Sequence, residues 1–275
     1  MVMYNSPSHR GSTPQKQVPD GPIAGFAALI ESSASEDWQK RITALEELVR
    51  AIPDGSTYLN GTAWYNTPKT LCHLVSPVSE LIKDPRSSVV RRVCGALGDL
   101  FRKCQSDARL FFKDLMPSIL AVHGQTVQVI RQAVQAMVLE AIPEVPCKSV
   151  MPIWMDRLKD KSPAVRDACS LYLGHALEYW TEEGYLTDEI WIQVGNCLLK
   201  AMRDPSPTVR KHAKTALVHM QHRHPNRWKT LQNDPSGPAA SDNKLKRWLQ
   251  TLGNSDEAEE LSIASKYTYN SDSRF

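Results

Sequence analysis

The chain has 275 residues, with 33 Lys and Arg against 30 Asp and Glu, a formal net charge of +3 and 41% hydrophobic residues. That balance excludes a strong polyelectrolyte binder, and it supplies enough apolar material for one large domain or two small ones. No run approaches 18 uninterrupted apolar residues, which excludes a membrane-spanning helix, and the mean hydropathy of −0.38 predicts a water-soluble chain.

The chain opens on "MVMYNSPSHRGSTPQKQVPDG", which is polar, proline-rich and without a signal-type apolar core, so residues 1–21 are expected to be a disordered leader. "PIAGFAALIESS" (22–33) predicts a short helix ahead of the first repeat. From there apolar residues recur at three- and four-residue intervals, the helical period. Ile42, Leu45, Leu48, Val49 and Ile52 form the core face of a hairpin starting near Ser35, and the insertion "PDGSTYLNGTAWYNTPK" follows it. Ser76-Pro77 reads as the start of another helix, Ser as cap and Pro in the first turn. Four more stripes come next: Val89, Val90, Val93, Cys94, Leu97, Leu100 and Phe101; then Val129, Ile130, Ala133, Val134, Met137, Val138 and Ala141; then Val165, Ala168, Cys169, Tyr172, Leu173, Ala176 and Trp180; then Val209, His212, Ala213, Ala216, Leu217 and Met220. "NDPSGPAASD" (233–242) breaks the pattern, "NKLKRWLQTL" (243–252) predicts a last helix, and the rest reads as a flexible acidic tail. No alternating strand pattern of useful length occurs. The expected fold is an all-α HEAT-repeat solenoid of five to six helical hairpins over residues 22–232, then a linker and capping helix (233–252) and a tail (253–275).

One phrase recurs. "KDKSPAVRDACS" (159–170) and "RDPSPTVRKHAK" (203–214) share it, and "KDPRSSVVRRVC" (83–94) repeats it with one extra residue. The Val/Ile-Arg steps at Arg91, Arg131, Arg166 and Arg210 are 40, 35 and 44 residues apart, near the spacing of HEAT or armadillo repeats. Arg41 matches the same step. Ser162-Pro163 and Ser206-Pro207 would cap and open the second helix of a hairpin, leaving the preceding basic residue and Asp in the turn. In a solenoid such turns line up along one edge, so Lys83, Arg86, Lys161, Arg203, Lys211 and Lys214 would form a row. A ladder of turn Asp and later Arg (Asp160 with Arg166, Asp204 with Arg210) would fasten neighbouring repeats, while Arg86, Lys161 and Lys211 have no such partner in sequence. Trp38 keeps two readings on sequence physics alone: a core residue beside Ile42 and Leu45, or an exposed interface anchor amid Glu36, Asp37, Lys40 and Arg41.

In this order, "DWQKRITALEELVRAI", "KDPRSSVVRRVCGALGDL", "DKSPAVRDACSLYLGHALEYW" and "DPSPTVRKHAKTAL", with "RHPNRWKTL" and "KLKRWLQTL" closing, the chain resembles a TOG domain of the CLASP family, most of all the second such domain. The resemblance spans about residues 22–252. It implies a tubulin-binding edge made of the turns within hairpins, with Trp38 as first-turn anchor supported by Lys40 or Arg41. Arg86 and Arg91 would serve the second turn, Lys161 the fourth, and Arg210 with Lys211 the fifth. It also implies tubulin or microtubules, and other microtubule-associated proteins, as partners. The expected location is the cytoplasmic microtubule cytoskeleton. The third turn, "HGQTVQVIRQ", departs from the pattern by lacking a Lys, and Asp167 stands where a basic residue is usual.

No GxSxG, P-loop, HExxH or dinucleotide fingerprint occurs, and no enzyme, cofactor, membrane or nucleic-acid partner is expected. The histidines of "HMQHRH" (219–224) end the last repeat's helix, where cations suit the dipole better than a metal explains them. Six cysteines without a CxxC pair predict reduced thiols. Two alternatives remain: a scaffold binding a protein through the solenoid's inner face, and a HEAT-like DNA glycosylase with a basic face. Ser-Pro and Thr-Pro pairs at Ser6, Thr13 and Thr67 lie in predicted loops.

Overall fold

The computed structural model describes residues 37–52, 58–59, 62–63, 71–125, 127–181 and 185–252. Eleven α-helices appear among them: α1 (Trp38–Ala51), α2 (Val75–Ile82), α3 (Ser87–Cys104), α4 (Arg109–His123), α5 (Gln128–Glu144), α6 (Met151–Arg157), α7 (Pro163–Tyr179), α8 (Asp188–Ala201), α9 (Pro207–Arg223), α10 (Pro225–Gln232) and α11 (Asn243–Leu252). The expected leader, the helix over 22–33 and the tail lie outside the described residues. Within the insertion after α1, β1 (Tyr58–Leu59) and β2 (Thr62–Ala63) pair antiparallel, a two-residue ribbon that the sequence reading did not find.

The helices form two layers. In the layer of second helices, α1 packs on α3, α3 on α5, α5 on α7 and α7 on α9. Facing it are α2, α4, α6, α8 and α10, with α2 against α4, α6 against α8 and α8 against α10. Each stripe read from the sequence lies between the layers: Val90, Leu97, Val134, Tyr172, Leu173, Ala216 and Leu217 are wholly buried. Aromatic rings bridge hairpins through this core, Phe101 to Phe112 at 5.3 Å and Phe112 to Trp154 at 6.4 Å between centroids, and Trp154 stacks on Trp180 within its own hairpin at 6.0 Å. The α7–α9 approach is close enough that a Cβ on Gly174 would meet Ala216 Cβ at 3.1 Å. Three stripe positions differ from expectation: Val129 is 39% exposed, Ala133 is only partly buried, and His212 is half-buried beside Asp167.

The hairpin starts also differ. The helix expected to open at Pro77 behind a Ser76 cap begins two residues earlier, at Val75 with Leu74 at the cap, because a 3-10 turn at Cys72–Leu74 leads straight into it. Ser162 and Ser206 do stand at the caps of α7 and α9, but neither hydroxyl makes a capping bond. The following proline forces the residue before it into extended backbone, and Ser162 and Ser206 have ψ of 119° and 125°. Asp160 and Asp204 secure the same turns by accepting the Ser162 and Ser206 N–H at 2.9 Å. Aspartate and proline build the cap; the serine side chain does not.

Candidate functional site

The starts of the second helices form one rim. At its amino-terminal end the Arg86 guanidinium lies 4.8 Å from the centroid of the Trp38 ring, joining the first turn to the second. At the other end Arg166, from the start of α7, forks onto the Asp204 carboxylate of the next turn at 2.6 and 2.9 Å. Between them the third turn abuts the fourth, since a Cβ on Gly124 would lie 4.0 Å from Val165 Cγ2. The side-by-side packing of α3 and α5 closes the series.

Trp38 resolves into neither of its two readings alone. It is half-buried, with part of its surface packed on the core and the Arg86 cation beside it. Arg86 is itself fixed, donating Nε and Nη2 to both Asp84 oxygens at 2.8 and 2.6 Å. The Arg86 guanidinium in turn holds the Asp84 carboxyl below its usual range. Asp37 caps α1 by accepting the Lys40 N–H at 3.2 Å and also pairs with the Lys40 ammonium at 2.6 Å. That makes Lys40 an exposed but paired cation. Arg41 is a correction: it is 8% exposed, and its guanidinium turns to Glu80 on α2 at 2.8 Å instead of flanking Trp38 on the surface.

The ladder is also corrected. Asp160 does not take Arg166; its carboxylate accepts from Arg157 at 3.0 Å and from the Ser162 N–H. Arg166 instead donates to the Asp160 and Lys161 carbonyls while its fork grips Asp204, so the rung crosses between hairpins. Arg210 repeats the inner half only, donating to the Asp204 and Pro205 carbonyls at 2.7 and 2.9 Å. A further rung, Arg203 to Asp242, reaches the turn between α10 and α11, which the sequence reading treated as a plain break.

Arg91 belongs to a different register from the arginines it was aligned with. The cap residues of α3, α5, α7 and α9 are Arg86, Val127, Ser162 and Ser206. Counted from them, Arg131, Arg166 and Arg210 lie four residues on, but Arg91 lies five on. One residue on a helix is a rotation of about 100°. The fourth place in α3 is therefore taken by buried Val90, and Arg91 points outward with Asp167 and Lys211 as its equivalents. The extra residue in "KDPRSSVVRR" was the available signal. Arg91, Lys161 and Lys211 are exposed, and their side chains make no hydrogen bond or ion pair among the described residues. Arg210, also exposed, keeps its carbonyl contacts. Asp167 is not a bare acid on the rim: it lies 2.9 Å from His212 Nδ1.

The histidines of 219–224 separate instead of converging. His219 is buried near Glu178, His222 is exposed, and His224 caps α9 against the Trp191 ring at 4.0 Å. Burial, then Arg227 and Arg223, pushes His224 down to about 4, so it is not the dipole-matching cation expected. All six cysteines are free thiols, four of them buried.

A two-layer helical-hairpin solenoid whose second-helix starts make one continuous edge is the architecture of TOG domains. A structure from work on tubulin recruitment and assembly by microtubule polymerases with TOG domain arrays matches 83% of this chain and 45% of its own, with a TM-score of 0.59 at 19% identity. Residues 25–243 match the model of the family described as CLASP N terminal, and the chain belongs to that family. It is 24% identical over 187 residues to Protein CLASP-2 of Caenorhabditis elegans, covering 67% of this chain, and 27% identical over 152 residues to CLIP-associating protein 1 of Xenopus tropicalis, covering 55%. The chain spans 18% and 10% of the length of those two relatives. No helix among the described residues is long and apolar enough to cross a membrane.

Proposed function

We propose that this chain binds tubulin through the rim and modulates microtubule dynamics by binding, without catalysis, in the microtubule cytoskeleton. The unit proposed to do so is the HEAT-repeat domain of residues 22–232, closed by the linker and capping helix of residues 233–252. The observation that carries the reading is the half-buried Trp38 with Arg86 against its face, on the edge that also presents Arg91, Lys161, Arg210 and Lys211. An acidic partner such as tubulin is steered and oriented by such a row of cations, and an indole desolvated in the contact supplies affinity. Family membership and the TOG-type fold support the same reading. Because packed repeats bend little, a rigid rim fits one curvature of tubulin better than another, which alters assembly with no bond made or broken.

Co-elution with tubulin and pelleting with microtubules, for the wild-type chain and Trp38→Glu, test this. Binding by the wild type and at least a tenfold loss in the variant is the expected result. Equal binding by both would remove Trp38 from the site, and salt-sensitive binding of duplex DNA in place of tubulin would overturn the reading altogether.

A further inference from the structure

Among the described residues, Leu110, Val127, Val129 and Tyr179 are the exposed large hydrophobic residues, and two of them share the third turn. Val127 is 45% and Val129 39% exposed. Tyr179 has a local partner, the His175 ring stacked at 6.0 Å; no ring or polar contact ties down either valine.

Their position breaks a local rule. Val127 is the cap residue of α5, where Ser, Thr, Asp or Asn is strongly preferred and valine is among the poorest choices. It makes no capping bond, and it adopts the extended backbone, ψ 103°, without a following proline to enforce it. The other turns of the series carry an aspartate that takes a backbone N–H, at Asp37, Asp84, Asp160 and Asp204. The third turn, Gly-Gln-Thr-Val-Gln-Val, has none. This turn gives up both capping devices and adds apolar surface facing water. A sequence that departs from local preference without a compensating contact inside the fold points to function at that place.

Place matters here. The third turn is the middle of five. On one side stand Trp38, Arg86 and the exposed Arg91; on the other, Lys161, Arg210 and Lys211. Interfaces put apolar contacts at the centre and charge at the periphery. We infer that Val127 and Val129 form the apolar centre of the tubulin-binding rim and seat against an apolar patch of tubulin, with the cations on both sides fixing orientation. This rests on the tubulin reading above and extends it. A charged third turn would leave Trp38 as the rim's apolar contact and make binding more salt-sensitive; a valine pair adds affinity that salt does not screen.

The test uses the 275-residue chain as wild type, Val127→Ser/Val129→Ser, and Lys161→Ala/Lys211→Ala, with tubulin affinity measured over a range of salt. Burying two half-exposed valines corresponds to about a tenfold change in affinity. The serine pair is expected to lose about that factor while keeping the wild-type salt slope; the alanine pair is expected to flatten the slope. Thermal melting of the serine pair should be unchanged or raised, since serine is the better cap, which separates lost contact from lost fold. Wild-type affinity in the serine pair, with tubulin binding otherwise intact, would overturn this inference and leave the rim reading standing. Absence of tubulin binding by the wild type would overturn the rim reading itself. Loss of self-association in the serine pair, at unchanged tubulin affinity, would assign the valines to a second copy of the chain and also overturn the inference.

Discussion

The two ends of the solenoid handle charge in opposite ways. At the amino-terminal end Arg41 is sheltered but its acid is not: the side chains of Arg41 and Glu80 are 10% and 67% exposed. There Arg86 lies against an aromatic face at the surface. At the carboxy-terminal end both partners of the rung are sheltered, Arg166 at 14% and Asp204 at 9%, and carbonyls of the turn take the remaining guanidinium donor. Buried or half-buried histidines also gather towards this end: His123, His175, His219 and His224. The same Asp-and-Arg grammar thus presents charge at one end and locks repeats together at the other. The residue that repeats most faithfully does the building, and the residues that vary between turns are left free to bind.

Acid should break this symmetry most strongly. Burial pushes His123, His175 and His224 down to about 4. His123 is packed beside the Tyr172 hydroxyl at 2.6 Å, with Arg131 opposing its charging and Asp167 favouring it. A histidine whose folded value lies below its unfolded value near 6.5 binds more protons when unfolded. Stability is therefore full above about pH 6.5 and falls as pH drops towards 4, by up to about 1.4 kcal/mol per pH unit for each of the buried His123 and His175 and by less for the half-buried His224, which solvent screens. The lowered aspartates Asp84, Asp160 and Asp204 act in a separate window, losing their contribution only as pH falls below about 3.8. Urea denaturation between pH 7 and 4.5 should show the decline, and hydrogen exchange at pH 5 should place the first loss of protection in α7, α9 and α10 before α1 and α3. Uniform loss along the chain would mean that the histidines do not set the acid response.

A smaller effect isolates the rung. Arg166→Ala leaves the sheltered Asp204 carboxylate without its fork, and charge-assisted hydrogen bonds of this kind contribute about 2 kcal/mol. Arg41→Ala should cost less, because Glu80 remains solvated without it. Urea midpoints for the two variants measure the difference; equal losses would contradict the contrast between the ends.

Much of the fold was legible because a solenoid repeats one local problem. Period-3.6 stripes placed the core of α3, α7 and α9, and proline fixed the starts of α7 and α9. The rim was legible less evenly. Its chain positions followed from the repeated phrase, but which face a side chain takes depends on single-residue register, and one inserted residue moved Arg91 off the arginine position. Arg41 was misplaced because its acid, Glu80, lies 39 residues away, across a contact that spacing on one helix does not express. The serines were misread because two devices can build the same cap, and aspartate with proline had already done so. Val129 looked like the start of an apolar stripe; the cap position of Val127 and the exposure of Val129 show that the stripe begins one residue later, at Ile130.

The smallest effect concerns the amino-terminal end. Arg86 is exposed but its partner Asp84 is sheltered at 13%, so the pair lies between an open surface pair and the closed Arg166–Asp204 rung. Arg86→Ala should lower the urea midpoint by less than Arg166→Ala does, because the Arg86 guanidinium is 44% exposed and Asp84 keeps the backbone N–H of residue 86. Its consequence appears in binding: a guanidinium stacked on an indole orients the ring and carries a delocalised charge to the contact, and lysine does not reproduce that flat stacking. Losing it should weaken tubulin binding by roughly two- to fivefold, the range of an exposed cation–π contact. Arg86→Lys should restore the salt slope but only part of the affinity. Full recovery with lysine would show that Arg86 acts as a point charge, and Trp38 would then owe its position to the core beneath it, not to the cation above.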